Sequence, residues 1–192
     1  MPRKSTCKAK LVHYPIILSA ARSAALSYND GSPMLSIRSA TAQDAPLLTA
    51  MIHELAEYEH LDHEAGLTEE AIARDGFGPH PKFRAVLAEW DGQAAGYAVF
   101  FEFYSTFQGR TGLFLDDIFV RPQFRKKGIG TALLAHVAGI AWREEYFCMR
   151  WEVLDWNTPA IGFYRKMGAV FLDEWKQVCL LGDALEAAAG RA

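Results

Sequence analysis

Residues 115–131 read LDDIFVRPQFRKKGIGT, and their pattern changes part of the way along. The segment 115–120 is rich in aromatic and β-branched residues, which favours a strand. After Pro122 the apolar residues recur at helical spacing, so that residues 128–143 are predicted to form a helix. A strand, a glycine-bearing turn and a helix therefore follow one another directly.

The turn between this strand and this helix has the composition of an anion site. Gly128 and Gly130 permit close approach to the backbone, and amides at the positive end of a helix dipole can form a nest for a diphosphate. Four basic residues between 121 and 127 add positive charge. Taken alone, the turn fits a tight bend with solvated basic side chains as well as a phosphate site. It matches neither the Walker pattern nor the dinucleotide-binding GxGxxG pattern.

The chain on either side of this segment predicts a mixed α/β (α+β) fold. Further helices are predicted over residues 41–58, 69–74 and 158–166, the first opened by a capping box at Thr41 and the second stopped by Gly76. The predicted strands are 35–39, 83–90, 95–104, 113–120, 149–154, 169–172 and 176–181.

The first 33 residues differ from the rest. They carry five basic residues against one acidic residue, lack helical or strand periodicity, and end in the turn-rich sequence NDGSP. We expect a basic, disordered extension over residues 1–33 and one domain over residues 34–192, with Met34 as a candidate translation start. A cleavable targeting segment is the alternative, although its apolar stretch is short and interrupted.

The composition is that of one globular domain. With 192 residues, 51% of them hydrophobic, the chain can bury one substantial core. No apolar run approaches 18 residues, which predicts no transmembrane helix. Three widely separated cysteines argue against a disulfide framework and predict a reducing, cytoplasmic location. The net charge of −3 for the whole chain includes five basic residues and one acidic residue before position 34, so the remainder holds 15 basic and 22 acidic residues and carries −7. Such an acidic domain disfavours nucleic acid and attracts cations.

A series of short motifs resembles the GNAT acyltransferase superfamily and, within it, the diamine (spermidine/spermine) N-acetyltransferase branch. The pattern Arg125-x-x-Gly128-x-Gly130 after a strand is similar to the acetyl-CoA motif of that superfamily. The other matching pieces, in the family's order, are Ile37-Arg38 with Ala40-Thr41 and Asp44, Glu54-Leu55-Ala56 with Tyr58-Glu59, Leu67-Thr68-Glu69, Asp75-Gly76-Phe77-Gly78, His80-Pro81, Trp156-Asn157-x-Pro159 and Phe163-Tyr164-x-x-x-Gly168-Ala169. Together they cover residues 34 to about 182.

The resemblance implies a fold and a co-substrate. The fold is a mixed, mostly antiparallel central sheet, splayed between its fourth and fifth strands, with helices on both faces and acetyl-CoA in the cleft. Backbone groups of residues 118–120 would hold the pantetheine arm and polarise the acetyl carbonyl, and residues 125–131 would hold the diphosphate. The implied coenzyme contacts are Ile118, Phe119, Val120, Arg125, Lys126, Lys127, Gly128, Ile129, Gly130, Thr131 and Asn157.

The resemblance also implies an acid and a base. Tyr164 would protonate the departing coenzyme thiolate, whose conjugate pKa of about 8.5 resembles that of a cysteine. Without the motif, a core aromatic is the simpler interpretation of Tyr164. Asp116 stands where the family usually has glutamate, which is one methylene longer. It acts either as a base through ordered water or only by attracting the cation.

The amine site implied by the resemblance is acidic. Tyr58, Glu59, Asp116 and Asp117 would bind the primary amine of a small polyamine, diamine or lysine-like metabolite. The alternatives are acetylation of protein lysines or N-termini, and a non-catalytic module that senses acyl-CoA or polyamine. The resemblance further implies a homodimer. No metal is expected, because His60-x-x-His63 has no third strong ligand and surface histidines explain it more simply.

Overall fold

The computed structural model describes residues 34–61 and 66–191. The expected extension over residues 1–33, and His63, lie outside the described residues. The strands form one sheet in the order β1-β2-β3-β4-β5. They are β1 (Leu35–Ser39), β2 (Arg84–Trp90), β3 (Gln93–Ser105), β4 (Arg110–Val120) and β5 (Met149–Arg150). All neighbouring strands are antiparallel except β4 and β5, which are parallel, so the predicted mixed sheet is confirmed.

Helices cover both faces of this sheet, as expected. They are α1 (Ala45–Glu59), α2 (Glu69–Phe77), α3 (Ile129–Arg143), α4 (Thr158–Lys166) and α5 (Gly182–Ala188), with 3-10 turns at Ala42–Asp44 and Pro122–Phe124. On one face, α1 and α2 pack Leu48 and Ile72 against Leu87 of the sheet. On the other face, α3 and α4 bury Leu133 and Tyr164. Within residues 34–61 and 66–191, no helix is long and apolar enough to cross a membrane.

The entry into α1 is fixed by Asp44. Its carboxylate accepts a hydrogen bond from the backbone N–H of Thr41 at 2.8 Å, as the predicted capping box requires, and another from the Thr41 hydroxyl at 2.9 Å. Two guanidinium nitrogens of Arg38 donate to the same carboxylate at 2.8 Å, and these bonds hold the pKa of Asp44 well below its ordinary value. The helix is therefore anchored at one end, while Tyr58 and Glu59 are presented at the other.

A β-bulge interrupts β4 at Asp116. Asp117 pairs with Val99 of β3, whereas Leu115 pairs with Phe100, so that Asp116 is the extra residue on β4. A bulge bends the strand that carries it and changes where the following side chains point.

The bulge changes which face the odd-numbered residues of β4 occupy. Leu115 is packed in the core beneath α3, whereas Phe119 is packed in the core beneath α1. In an uninterrupted strand, two residues four positions apart lie on the same face. The bulge therefore places Asp117 on the face covered by α1.

Next to this bulge the sheet splays between its fourth and fifth strands, as expected. The two strands pair only at Leu113 with Met149 and at Phe114 with Arg150. β4 continues to Val120, so its last six residues face a cleft rather than a fifth strand.

The C-terminal strands predicted over residues 169–172 and 176–181 are wrong, and the strand predicted over 149–154 is too long. Residues 151–154 and 169–181 form no strand. Val170, Trp175 and Val178 are 82%, 76% and 92% exposed. Such residues favour a strand only where a neighbouring strand completes the hydrogen bonding, and none of the described strands lies beside them.

The sequence predicted that Gly76 would end the second helix, and this prediction is wrong. The helix continues to Phe77, and Gly76 is buried within it. A Cβ at this position would lie 2.6 Å from Cζ of Phe83, so the missing side chain allows close packing of that ring. The glycine has a packing role here.

Candidate active site

The candidate site begins at the open edge of β4. Beyond Phe114, residues 115–120 have no sheet neighbour on the β5 side among the described strands. Strand edges of this kind present backbone N–H and C=O groups to an extended ligand. The predicted pantetheine contacts, residues 118–120, lie along this edge.

The glycine turn follows directly and ends at the first turn of α3. Gly128 is the residue before the helix and has a φ of 80°, in the left-handed region that favours glycine. A Cβ built on Gly130 would meet only Val120 and Phe163, at 3.8 and 4.0 Å. No side chain caps the first turn of α3. Its N–H groups therefore suit an anion at a helix N-terminus.

Two of the basic side chains expected at this turn lie on aromatic rings instead. The guanidinium of Arg125 lies 4.6 Å from the ring centre of Tyr58, and its Nε donates to the carbonyl of Val120 at 3.0 Å. Lys127 places its ammonium 4.9 Å from the ring centre of Trp90. Cation–π contact stabilises both charges over these rings. Lys126, like Thr131, is exposed beside the turn.

Acidic side chains from different elements meet beside the open edge of β4. Asp117 of β4 accepts a hydrogen bond of 3.1 Å from the hydroxyl of Tyr97 on β3. Asp116 and Glu59 lie close enough for their charges to act on the same carboxylate. The structure thus brings the predicted acidic residues of the amine site together, with Asp116 exposed and Asp117 half-buried.

Burial and mutual repulsion make these carboxylates easier to protonate. Burial, followed by the charge of Asp116, raises the pKa of Asp117 to about 6. Partial loss of hydration raises the pKa of Asp116, and the charge of Glu152 adds to it. Burial alone raises the pKa of Glu59. An ammonium ion placed among them would relieve this repulsion, so the cluster favours a cationic ligand.

Tyr164 lies on α4 at the inner wall of the cleft and is 6% exposed. Its ring packs against Trp151 and Phe163, with ring centres 5.2 and 5.3 Å away. Burial, with a smaller contribution from the charge of Glu59, raises the pKa of Tyr164 to about 12. The phenol is therefore protonated throughout the neutral range, and the same Glu59 acts on both Tyr164 and the acidic cluster.

Asn157 connects the start of α4 to the end of α1. Its side-chain oxygen accepts a hydrogen bond from the backbone N–H of Ala160 at 3.3 Å, which caps α4, and another from the hydroxyl of Tyr58 at 3.4 Å. The ring of Tyr58 also contacts Trp156, with ring centres 6.2 Å apart. Asn157 therefore holds two walls of the cleft together.

Sequence reasoning missed Tyr97 and Glu152. Tyr97 stands in an apolar strand, where an aromatic residue is expected for packing alone. The available signal was chemical, because a buried tyrosine hydroxyl usually finds a hydrogen-bond partner. Glu152 was assigned to the strand predicted over residues 149–154, which in the structure ends at Arg150.

The histidines expected to lie at the surface show no metal-binding arrangement where they are described. His60 lies beside Trp156, with ring centres 5.7 Å apart. Across residues 34–61 and 66–191, no three His, Cys, Asp or Glu side chains are grouped so as to hold a metal ion.

Comparison with known proteins agrees with this geometry. Residues 48–169 match the model of the Acetyltransferase (GNAT) family. The thialysine N-epsilon-acetyltransferase of Mus musculus is 39% identical over 166 residues, covering 81% of this chain and 97% of that protein. The spermidine/spermine N(1)-acetyltransferase-like protein 1 of Homo sapiens is 33% identical over 143 residues, covering 71% of this chain and 20% of that protein. The integron cassette protein VCH_CASS6 of V. cholerae shares the fold, with a TM-score of 0.69, 23% identity, and coverage of 81% of this chain and 97% of that one.

Proposed function

Because the chain belongs to the GNAT family of acetyltransferases, we propose that it transfers acetyl from acetyl-CoA to the primary amine of a small polyamine, diamine or lysine-like metabolite. The observation that carries this proposal is the acidic cluster of Asp116, Asp117 and Glu59 beside Tyr164. It provides negative charge where a cationic amine would have to lie. The proposed reaction is direct attack within one ternary complex, in which positioning supplies much of the rate.

The open edge of β4 and the first turn of α3 fit the coenzyme. Acetyl-CoA, the co-substrate of this family, would supply an activated acetyl thioester. Backbone groups of residues 118–120 would hold the pantetheine arm, and the amides of residues 128–131 the diphosphate, with residues 125–127 and Asn157 beside them. The uncapped first turn and the space at Gly130 support this placement. Arg125 would have to leave the Val120 carbonyl for that group to bind a ligand.

Tyr164 is proposed as the general acid. Its raised pKa of about 12 keeps its proton in place until the thiolate departs. The proposed route is from the phenol O–H to the departing sulfur. Tyr164 shares a core cluster with Leu115 of β4, and the charge of Glu59 reaches it. Both observations support the role, since an acid must reach the bond that breaks.

Asp116 is proposed to handle the charge of the amine. A lysine-like ammonium of pKa about 10.4 costs roughly 4 to 5 kcal/mol to deprotonate at pH 7. A nearby carboxylate that accepts the proton would therefore assist the attack of the amine. The bulge at Asp116 and its exposure leave room for an ordered water between carboxylate and amine. This supports the role of base through water. Attraction of the cation alone remains the alternative role, with Tyr58, Glu59 and Asp117 completing the pocket.

We also propose a homodimer and a cytoplasmic location. A group of exposed apolar side chains near the C-terminus supports self-association, because these side chains are exposed to water in a monomer and a dimer interface would bury them. Its members include Val170, Leu172, Trp175, Val178, Leu180 and Leu181. The location rests on cysteine spacing alone.

An amine panel tests the proposed function. The full chain would be incubated with acetyl-CoA and spermidine, putrescine, thialysine, ornithine, lysine or a lysine-containing peptide, while released thiol is followed. We expect release with at least one small amine, and a loss of about a hundredfold or more in kcat for Tyr164→Phe. Tyr104→Phe is the matched control, because Tyr104 is 63% exposed near the far end of β3.

The outcomes of the panel separate the three candidate functions. Thiol release only with the peptide would favour a protein acetyltransferase. Acetyl-CoA binding by calorimetry without release from any amine would favour a sensing module and contradict the proposal.

A further inference from the structure

Tyr97 is a buried core residue whose hydroxyl group is not needed for core packing. It is completely buried in the core beneath α1, with its ring 6.2 Å from that of Phe119. Phenylalanine would fill the same space. The hydroxyl instead donates a 3.1 Å hydrogen bond to Oδ2 of Asp117, diagonally across β3 and β4.

The surroundings of Asp117 make this hydrogen bond important. Asp116 is the neighbour of Asp117 on β4, and Glu59 of α1 also lies close enough for its charge to act on the Asp117 carboxylate. Glu152 faces Asp116, and the Glu59 charge also reaches Tyr164. On the turn after β4, the guanidinium of Arg125 lies over the ring of Tyr58 and 5.9 Å from the ring centre of Phe119.

Among these groups, Tyr97 is the one that favours the ionised form of Asp117. Burial and the charges of Asp116 and Glu59 raise the pKa of Asp117, whereas the hydrogen bond from Tyr97 lowers it. The reciprocal effect is that burial and Asp117 raise the pKa of Tyr97 well above its ordinary value. The proton therefore stays on the tyrosine, which acts only as a donor.

We propose that Tyr97 is a positioning residue of the amine site: its buried hydroxyl holds and orients the carboxylate of Asp117, so that a cationic amine can bind there. This inference rests on the proposed function. It gives the adjacent acids different roles, with Asp117 held by β3 as the fixed charge that attracts the amine. Asp116 lies in the bulge and has no such tether to β3 among the hydrogen bonds of the described residues.

The consequence is a shift in pH dependence when the hydroxyl is removed. In the wild type, kcat/KM should fall as Asp117 becomes protonated near pH 6. In Tyr97→Phe the carboxylate loses its donor, so its pKa rises and the fall should occur at higher pH, by about one unit. The loss should appear mainly as a higher amine KM near pH 6 and should be small at pH 8.5, where Asp117 is ionised in both proteins.

The test compares pH profiles of kcat/KM for wild type, Tyr97→Phe and Tyr146→Phe, using the best amine from the panel. Tyr146→Phe is the matched control, because its hydroxyl also donates to carboxylates, Glu102 and Glu144, but away from the cleft. Asp117→Asn should abolish the transition near pH 6. An unchanged profile in Tyr97→Phe, or an equal shift in Tyr146→Phe, would overturn the inference.

A titration independent of turnover separates this inference from the proposed function. The ¹³C chemical shift of the Asp117 carboxyl, assigned with Asp117→Asn, would be followed against pH in the labelled protein. We expect its midpoint near 6 in the wild type and about one unit higher in Tyr97→Phe. If no amine is acetylated but this shift occurs, the function is wrong and the Tyr97–Asp117 coupling stands. Equal midpoints would refute the coupling itself.

Discussion

Arg121 connects the end of β4 to α1, and Arg121→Ala should destabilise the protein substantially. Its Nε and Nη2 donate to the two carboxylate oxygens of Glu54 on α1, at 2.9 and 2.6 Å. Its Nη1 donates to the carbonyl of Ala94 on β3 at 3.0 Å. Glu54 lies one turn and a half before Glu59, so this contact also positions the acidic cluster.

The size of the effect follows from the geometry and exposure of the pair. Hydrogen bonds to charged groups contribute about 1.5 to 3 kcal/mol each when buried. The side chains of Arg121 and Glu54 are 20% and 37% exposed, so water screens part of that energy. We expect the free energy of unfolding to fall by about 2 to 3 kcal/mol, which lowers Tm by roughly 5 to 10 °C for a chain of this length.

Thermal and urea unfolding followed by circular dichroism would measure this loss. Arg74→Ala is the control, because the Arg74 side chain is 68% exposed in its pair with Asp75 and its removal should leave Tm nearly unchanged. In a double-mutant cycle with Glu54→Gln, the two substitutions should be clearly non-additive. Additive effects, or a Tm for Arg121→Ala equal to that of Arg74→Ala, would refute the reasoning.

Three further predictions concern α3, α1 and Tyr164. Gly128→Ala should cost about 1 to 2 kcal/mol of stability, because φ is 80° there, and should weaken acetyl-CoA binding measured by calorimetry. Asp44→Asn should cost about 1 to 2 kcal/mol at pH 7 in urea unfolding. Since the folded pKa of Asp44 is lowered, its contribution is full above about pH 4 and is lost as pH falls further, so wild type and variant should converge in acid. Tyr164→Phe should lower kcat far more than it changes Tm, because the ring packing against Trp151 and Phe163 survives.

Much of the fold follows from local sequence pattern. The helix over residues 128–143 and the capping box at Thr41 rest on periodicity and capping chemistry, which act within a few residues. The strand predictions after Gly168 are wrong because strand formation depends on contacts distant in sequence. Their apolar and β-branched residues fit a strand, but a strand also needs a partner, and the sequence does not say whether one is present.

The candidate site depends on the register between β3 and β4. Leu115, Asp117 and Phe119 alternate with Asp116 and Ile118, so a regular strand would place the three odd-numbered residues on one face. Under that pattern Asp117 would share the face of Leu115, beneath α3.

The bulge at Asp116 changes that assignment within one residue. It leaves Leu115 beneath α3 and moves Asp117 to the face beneath α1, where Tyr97 lies within hydrogen-bonding distance. No composition or spacing rule marks a bulge in an Asp-Asp pair, because either acid can occupy the extra position. The different environments of Asp116 and Asp117 therefore arise from strand pairing with β3. The proposed division of roles between them can be tested by removing one hydroxyl, that of Tyr97, which lies twenty residues away in sequence.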